Sequence, residues 1–514
     1  MAGMVWLSGF FAVALGLFLE RPLFVGILLV GGLAVTVFLW LLLTASWMNG
    51  WTQTGTQNQP ETLTGSVFSA FMTALIVVSL GIGLIVGRFG SPPLGFDPLG
   101  SEGLMTPPSD ELVAALAEVE QRCAAVNQSL PLEVTQVTLS ELFGDAKARY
   151  FQAQFGAPVT IESVPGVGFV VAESSRGGEG GELFSRFYAL DDGEKLTASA
   201  DQLGELEGIA VIDLLWVEKF RTLFWSYLDK TEEGVVIAVA ANPVENGKFD
   251  VAAAQTIFKT SPRVVPANNV QNGGRLEHLP GEGLVLTVGD LGLVASRLGE
   301  QAWVNESARF VQIDTGYAAT YLIDPETLES RQFTTGHRNP QGLAFDSETG
   351  IIWSSEHGPQ GGEELNQLKE GSDYGWLDGT FGRPYDGFDL LREDPAFRQE
   401  YLEKVGLSGL DRWCADPGGG YQAPYALLAT ESVAPSQLAL LPAGSLGDPA
   451  SPRRLLMGTL GNQSLWVADI GGEHLDNWRR VSIGERIRDL FVTPDGDIIL
   501  GFDSGRLMLI TASF

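Results

Sequence analysis

Apolar positions follow two different patterns along the chain. In the first hundred residues they form long, nearly unbroken runs: Met4–Leu19, Leu23–Trp47 and Val67–Gly87. A helix needs about 20 apolar residues to cross a bilayer. The second and third runs meet that length, and the first is slightly short, so it fits a short span or an interfacial helix. Glu20, Arg21 and Pro22 break the first run from the second. The expectation is an α-helical transmembrane segment of two to three helices, about 4–19, 23–47 and 67–87, forming a membrane anchor over 1–88. A Gly-, Pro- and Ser-rich connector follows from Phe89 to Pro108. Ser109-Asp110-Glu111 then offers an N-cap hydroxyl and first-turn acids. Leu112, Leu116, Val119, Cys123 and Val126 continue as one apolar helical stripe. A second helix is expected over Ser140–Gln154, making 89–158 a linker with amphipathic helices.

From about Val159 the period changes. Short apolar or alternating runs recur at Gly168–Ala172, Ile209–Leu215, Val235–Ala240, Gly283–Val288, Phe310–Ile313, Gly350–Ser354, Leu455–Thr459, Ser464–Ala468, Asp497–Phe502 and Arg506–Ile510. Turn-rich clusters separate them, including Pro280-Gly281-Glu282-Gly283 and Pro494-Asp495-Gly496. Many short strands between Gly and Pro turns indicate an all-β domain. Residues 159–514 are too many for a simple sandwich. A six-bladed β-propeller accommodates that length while protecting its strand edges by radial repetition.

Composition narrows the function. The 514 residues carry 32 Lys and Arg against 63 Asp and Glu, a formal charge of −31. Phosphate neutralisation needs clustered bases, so a nucleic-acid partner is not expected. Two cysteines exclude a disulfide-framework protein. Cys123 and Cys414 fit either a pair in an oxidising compartment or two buried thiols. No P-loop, Rossmann fingerprint or zinc spacing occurs.

Two long motifs carry a family likeness. The first is Gly336-His337-Arg338-Asn339-Pro340-Gln341-Gly342-Leu343-Ala344-Phe345. The second runs from Glu356-His357-Gly358-Pro359 through Gly361-Gly362-Glu363-Glu364-Leu365-Asn366 to Asp373-Tyr374-Gly375-Trp376. Together they resemble the glucose/sorbosone dehydrogenases, sugar dehydrogenases that use pyrroloquinoline quinone (PQQ). Weaker echoes are Asn272-Gly273-Gly274-Arg275-Leu276, Val288-Gly289-Asp290 and Glu485-Arg486-Ile487-Arg488-Asp489. The likeness covers roughly Val159 to the C-terminus. It implies a six-bladed propeller with the quinone in a central polar depression.

The same resemblance assigns roles. Main-chain carbonyls matching Gly358 and Pro359 hold a quinone-bridging Ca²⁺. Glu364 and Tyr374 match a second, structural calcium. Arg338 and Asn339, Tyr385, and Arg486 with Arg488 match the quinone contacts, guanidinium being suited to carboxylates. The family's catalytic base is a His directly before Asn-Gly-Gly-Arg-Leu, and this chain has Gln271 there. Asp290 matches the carboxylate that would orient that imidazole. A family Lys appears as Gly461, and a family Gln is replaced around Leu206-Glu207-Gly208. His357 is the first candidate for a substitute base.

A carboxamide cannot take up a proton near neutral pH, and losing a general base typically costs about 10²–10⁴-fold. Three readings follow, of which one is an altered enzyme that acts on another alcohol with His357 as its base. Another is a propeller with weakened or lost dehydrogenase activity, serving as a binding module or accessory subunit of a membrane complex. The third is an active PQQ- and Ca²⁺-dependent aldose dehydrogenase feeding electrons to the membrane chain. The partners implied are the lipid bilayer, further subunits and a sugar. The family works outside the cytoplasm, which places the propeller on the periplasmic side of a bacterial inner membrane.

Overall fold

The computed structural model describes residues 107–129, 132–176, 182–190, 200–248, 250–262, 271–291, 316–376, 378–384, 388–404, 406–415, 420–428 and 432–512. The expected membrane anchor, the strand at Phe310–Ile313 and Tyr385 lie outside them. No helix among the described residues is long and apolar enough to cross a membrane.

Six antiparallel sheets form the blades of a propeller. Blade 1 holds β3 (Val159–Val164), β4 (Gly168–Arg176), β5 (Leu183–Leu190) and β6 (Asp201–Glu207). Blade 2 holds β7 (Ile209–Val217), β8 (Thr222–Thr231), β9 (Gly234–Pro243) and β10 (Gln255–Lys259). Blade 3 holds β11 (Gly273–Leu279), β12 (Gly283–Val288), β13 (Ala319–Ile323) and β14 (Ser330–Thr335). Blade 4 holds β15 (Pro340–Asp346), β16 (Ile351–Glu356), β17 (Glu364–Leu368) and β18 (Ala426–Leu427). Blade 5 holds β19 (Pro435–Leu441), β20 (Arg454–Thr459), β21 (Ser464–Gly471) and β22 (His474–Ser482). Blade 6 holds β23 (Ile487–Val492), β24 (Ile498–Phe502) and β25 (Leu507–Thr511).

The segment before Val159 completes two blades. β1 (Thr135–Gln136) runs parallel to β22, with Thr135 opposite Arg479. β2 (Lys147–Tyr150) pairs antiparallel with β25, Lys147 opposite Thr511, so an N-terminal strand closes the C-terminal blade. The helix expected over Ser140–Gln154 is therefore short. It is α2 (Leu139–Phe143), begun by a Thr138–Glu141 capping box and ended at Gly144, after which the backbone extends into the ladder. Pairing an open blade edge outweighs the weak helical pattern of that stretch. The amphipathic helix expected before it is α1 (Asp110–Ser129), with Leu112, Leu116, Val119 and Cys123 buried.

Six apolar clusters fill the six gaps between neighbouring blades. Each blade is thus covered on both faces. This explains why β12, β20, β24 and β25, buried at every position, read as continuous apolar runs rather than as alternation. A seventh cluster stands apart. It joins α1 to an excursion between β17 and β18 that carries α3 (Asp389–Glu393), α4 (Pro395–Lys404) and a 3-10 turn at Leu407–Arg412. Cys123 and Cys414 are disulfide-bonded within this cap, their Cα atoms 4.8 Å apart.

The innermost strands are tied by one buried guanidinium. Arg275 on β11 is fully buried and reaches Asp213 on β7 and Asp489 on β23, both at 3.0 Å. It also donates to the carbonyls of Gln341 (2.8 Å) and Arg488 (2.6 Å). The carboxylates are satisfied further, by Leu276 N–H for Asp213 and by Thr160 and Ile161 for Asp489. Two acids share one cation, and burial with this crowding pushes Asp213 upward. Nearby, Glu162 accepts from Ser163 and Trp216 N–H, and Glu277 from His278 and Phe345 N–H. Burial raises Glu162 to about 8 and Glu277 to about 7, with Asp213 adding to both.

These shifts make stability depend on pH with a defined sign. In the unfolded chain the two glutamates titrate near pH ~4.3. In the fold they keep their protons up to pH about 7 and 8. Between those limits the folded state binds more protons, so their contribution is complete below the unfolded pKa and is lost as pH rises through the folded one. The melting temperature should fall from pH 5.5 to 8.5, and a Glu162→Gln/Glu277→Gln variant should show a flatter profile by scanning calorimetry. An unchanged slope in that variant would contradict the assignment.

Candidate functional site

The sequence motifs converge on one end of the propeller axis, where the innermost strands begin. Gln271 and Asn272 lead into β11. Gly289 and Asp290 follow β12. His337, Arg338 and Asn339 join β14 to β15. His357–Glu363 link β16 to β17, and Arg486 leads into β23. The backbones meet closely. Gly289 N–H donates to Asn272 O (3.0 Å), Leu291 N–H to Gln271 O (2.9 Å), Asp290 N–H to Arg338 O (2.8 Å) and His357 N–H to Asn339 O (3.0 Å). Gly273, at φ +62°, lets the strand turn in here, since a Cβ would lie 2.8 Å from Gly289 N.

Gln271 is buried in the middle of this group. With its amide oriented to satisfy both neighbours, the nitrogen toward Asp290 and the oxygen toward Arg338, Gln271 donates from Nε2 to Asp290 Oδ1 at 2.8 Å and accepts from Arg338 Nη2 at 2.9 Å. Asp290 takes a further bond from Trp376 Nε1 at 3.1 Å. Arg338 also donates from Nη1 to the carbonyls of His357 (3.0 Å) and Gly358 (2.7 Å), and its guanidinium lies 5.6 Å from the Trp376 ring centre. A carboxylate, a carboxamide and a guanidinium are thus joined in series, with the indole touching both ends. Asn339 faces inward instead: its Oδ1 accepts from Gly273 N–H and Gln341 Nε2.

His357 lies among cations. Arg338, Arg488 and Arg486 all disfavour its protonation, but burial is the largest cause, and the imidazole is pushed down to about 3. Its Nε2 sits 2.6 Å from the Pro435 carbonyl, so Nε2 carries the hydrogen. A neutral ring this hard to protonate is a weak base. Arg486 and Arg488 share one carboxylate. Asp503 accepts from Arg486 Nε (2.7 Å) and from Arg488 Nε (2.6 Å) and Nη2 (3.0 Å). Two guanidiniums against one carboxylate leave positive charge facing the same imidazole as Arg338, which suits a polyanionic ligand.

The expected second calcium position brings together four groups. Glu356 stands opposite Glu364 across β16 and β17. Glu356 accepts from Arg338 N–H and meets His337 Nδ1 at 2.9 Å, and the His337 ring stacks on Tyr374 at 4.8 Å. Glu364 receives one bond, from Asn366 Nδ2 at 3.2 Å, and makes no ion pair among the described residues. Burial first and Glu356 second push it up to about 8. Among the described residues no group of three or more His, Cys, Asp or Glu side chains is placed to hold a metal, so a cation at this place would depend on main-chain oxygens as well. At the other expected position, the Pro359 carbonyl accepts from Gly362 N–H (3.0 Å) and the Gly358 carbonyl from Arg338. A carbonyl has two lone pairs, so an oxygen that accepts one bond, as that of Pro359 does from Gly362 N–H, can accept a second.

Glu356 and Trp376 stand in the second motif without an assigned role, and Asp503 stands outside the motifs. Glu356, Trp376 and Asp503 organise the site, yet each becomes recognisable only once its partner is placed. Gly461, where a Lys was expected, has no room for a side chain: its Cβ would lie 2.7 Å from Ser432 O and 2.9 Å from Val433 O. Leu206–Gly208 lead into β7, the blade-2 counterpart of Gln271. Both sulfur atoms of the disulfide and the buried Trp413, Trp466 and Trp478 belong to packing clusters.

Comparison with known proteins bears on the likeness of the propeller. The profile of the family described as Glucose / Sorbosone dehydrogenase matches residues 199–404. An uncharacterized protein of Synechocystis is 26% identical over 337 residues, 61% of this chain and 73% of that protein. The aldose sugar dehydrogenase YliI of Escherichia coli is 26% identical over 299 residues, 57% of this chain and 73% of that protein. The solved apo-form of the soluble aldose sugar dehydrogenase from Escherichia coli superposes with a TM-score of 0.52 at 21% identity, covering 72% of this chain and all of that one. The likeness of the propeller to glucose/sorbosone dehydrogenases is supported by profile, relatives and fold together.

Proposed function

We propose that the propeller binds PQQ with calcium at the axial site and that Gln271 leaves it without a strong general base, so that it serves mainly as a binding or accessory subunit of a membrane complex. One observation carries the reading. The place between an orienting carboxylate and a guanidinium is filled by a carboxamide bonded on both sides, 2.8 Å from Asp290 and 2.9 Å from Arg338. Arg338, Arg486 and Arg488 would hold the quinone's carboxylates. The carbonyls of Gly358 and Pro359 would hold its calcium, and Glu364 with the Tyr374 carbonyl the second ion. The bound quinone supplies a hydride acceptor. Gln271 can donate to and accept from a substrate hydroxyl and so orient it, but its amide nitrogen has no basic lone pair to remove the proton. His357, neutral and held at Nε2, offers little in its place.

The runs at 4–19, 23–47 and 67–87 would anchor the chain in a bacterial inner membrane with the propeller in the periplasm. The Cys123–Cys414 bond supports that side, because disulfides persist in oxidising compartments. Protease added to spheroplasts should digest the propeller, and protection would reverse the topology.

The activity test uses the full chain in detergent with PQQ, Ca²⁺, aldoses and a dye acceptor. The native protein should bind the quinone and turn over slowly, and Gln271→His should raise turnover by about 10²–10⁴-fold. Brisk oxidation by the native chain would instead establish the alternative, a working aldose dehydrogenase feeding the membrane chain. Failure of both forms to bind PQQ would remove the quinone from the reading.

A further inference from the structure

We propose that the cap made by α1 and the β17–β18 excursion is a positioning element for the axial site, and that the Cys123–Cys414 disulfide holds it in register. The inference rests on the quinone- and calcium-binding reading above and adds a part of the chain that lies largely outside the matched motifs.

Three backbone layers lead from the disulfide to the site. The first is the turn Gly358–Gly362, which carries both expected calcium carbonyls. The second is Thr380–Arg383. Gln360 and Arg383 exchange N–H···O bonds in both directions, each 3.0 Å, and Arg383 Nε reaches Gln360 Oε1 at 3.2 Å. Contact is so close that a Cβ on Gly362 would lie 2.5 Å from Gly382 N, and one on Gly382 would lie 3.0 Å from Pro359 O. The third layer is Arg412–Ala415. Thr380 N–H donates to Arg412 O (2.9 Å), Cys414 N–H to Gly382 O (3.0 Å) and Ala415 N–H to Thr380 O (3.0 Å). The closest of these contacts are backbone to backbone, at Gly362–Gly382 and Gly382–Pro359, so a displacement of Cys414 passes through Gly382 to Pro359.

The third layer needs outside support. Cys414 has φ +50°, in the left-handed region that a residue with a Cβ disfavours. Its position is fixed from α1, through the disulfide and through Arg122, which donates to Leu410 O (3.0 Å) and Trp413 O (3.3 Å). A second route reaches the site through Trp376. Its ring packs against the cap's apolar cluster while its N–H holds Asp290. The cap therefore touches both the carbonyl turn and the carboxylate that orients Gln271. A helix serving only to cover apolar surface would need neither the staple nor the close backbone stack.

The test measures PQQ affinity by absorbance titration at saturating Ca²⁺, using the full chain in detergent. Circular dichroism and a melting curve report the fold of each variant. Cys123→Ser/Cys414→Ser should keep the β-sheet spectrum and bind PQQ about 10–100-fold more weakly, the usual scale for losing outer support of a metal site. Gly382→Ala, which leaves the disulfide intact but forces a Cβ against Pro359, should weaken binding in the same direction. A folded double-serine variant that binds as tightly as the native protein would overturn the inference. If the double-serine variant does not fold, Gly382→Ala decides alone, and unchanged affinity there overturns the inference. Absence of PQQ binding by the native protein would overturn the functional reading and this inference together, whereas equal binding by native and variant forms removes this inference only.

Discussion

Arg275 is the constraint on which the arrangement of this molecule depends. A propeller's blades meet through apolar faces, and apolar contact has no direction. The axis supplies the direction. One guanidinium, with no exposed surface, is bonded to side chains from β7 and β23 and to carbonyls of β15 and β23 while itself belonging to β11. Breaking a buried pair of this kind typically costs about 3–5 kcal/mol, because a charge is left behind without a partner. The geometric consequence is larger than the energetic one. The strands so joined are those whose leading ends carry Gln271, Arg338 and Arg486, so the hub that locks the blades also fixes the distances within the site.

Much of the fold was legible because blade strands and their turns are local. The strands named from sequence that fall within the described residues are all present, and Pro280–Glu282 and Pro494–Gly496 turn as expected. The helix over Ser140–Gln154 was misjudged because its period competes with an open edge on β25, and an edge is invisible until the last blade exists. Long-range pairings were hidden for the same reason. Cys123 and Cys414 are separated by 291 residues, and nothing local distinguishes partners from two buried thiols. Asp503 was unreadable without Arg486 and Arg488 beside it. The motif positions Arg338, His357 and Gly358 did come together, since they belong to consecutive loops at one end of blade 4. Tyr385 lies outside the described residues.

The charge pattern of the site sets a group of arginines against carboxylates that are themselves bonded. Its cations remain in place, with three guanidiniums disfavouring a proton on His357. Its carboxylates are committed: Asp290 to Gln271 and Trp376, Glu356 to His337 and the Arg338 backbone, Asp503 to two arginines. Glu364 stands opposite Glu356 and makes no ion pair among the described residues. Among the described residues, Gln271 stands where an imidazole was expected, between Asp290 and Arg338.

The most direct measurement is a crystal structure of the protein with PQQ and Ca²⁺ bound. Quinone carboxylates on Arg338, Arg486 and Arg488, a calcium ion on the Gly358 and Pro359 carbonyls, and the Gln271 amide still joined to Asp290 are the expected result. A quinone bound elsewhere, or an axial end that excludes it because Arg338 stays closed over Gly358, would contradict the central claim.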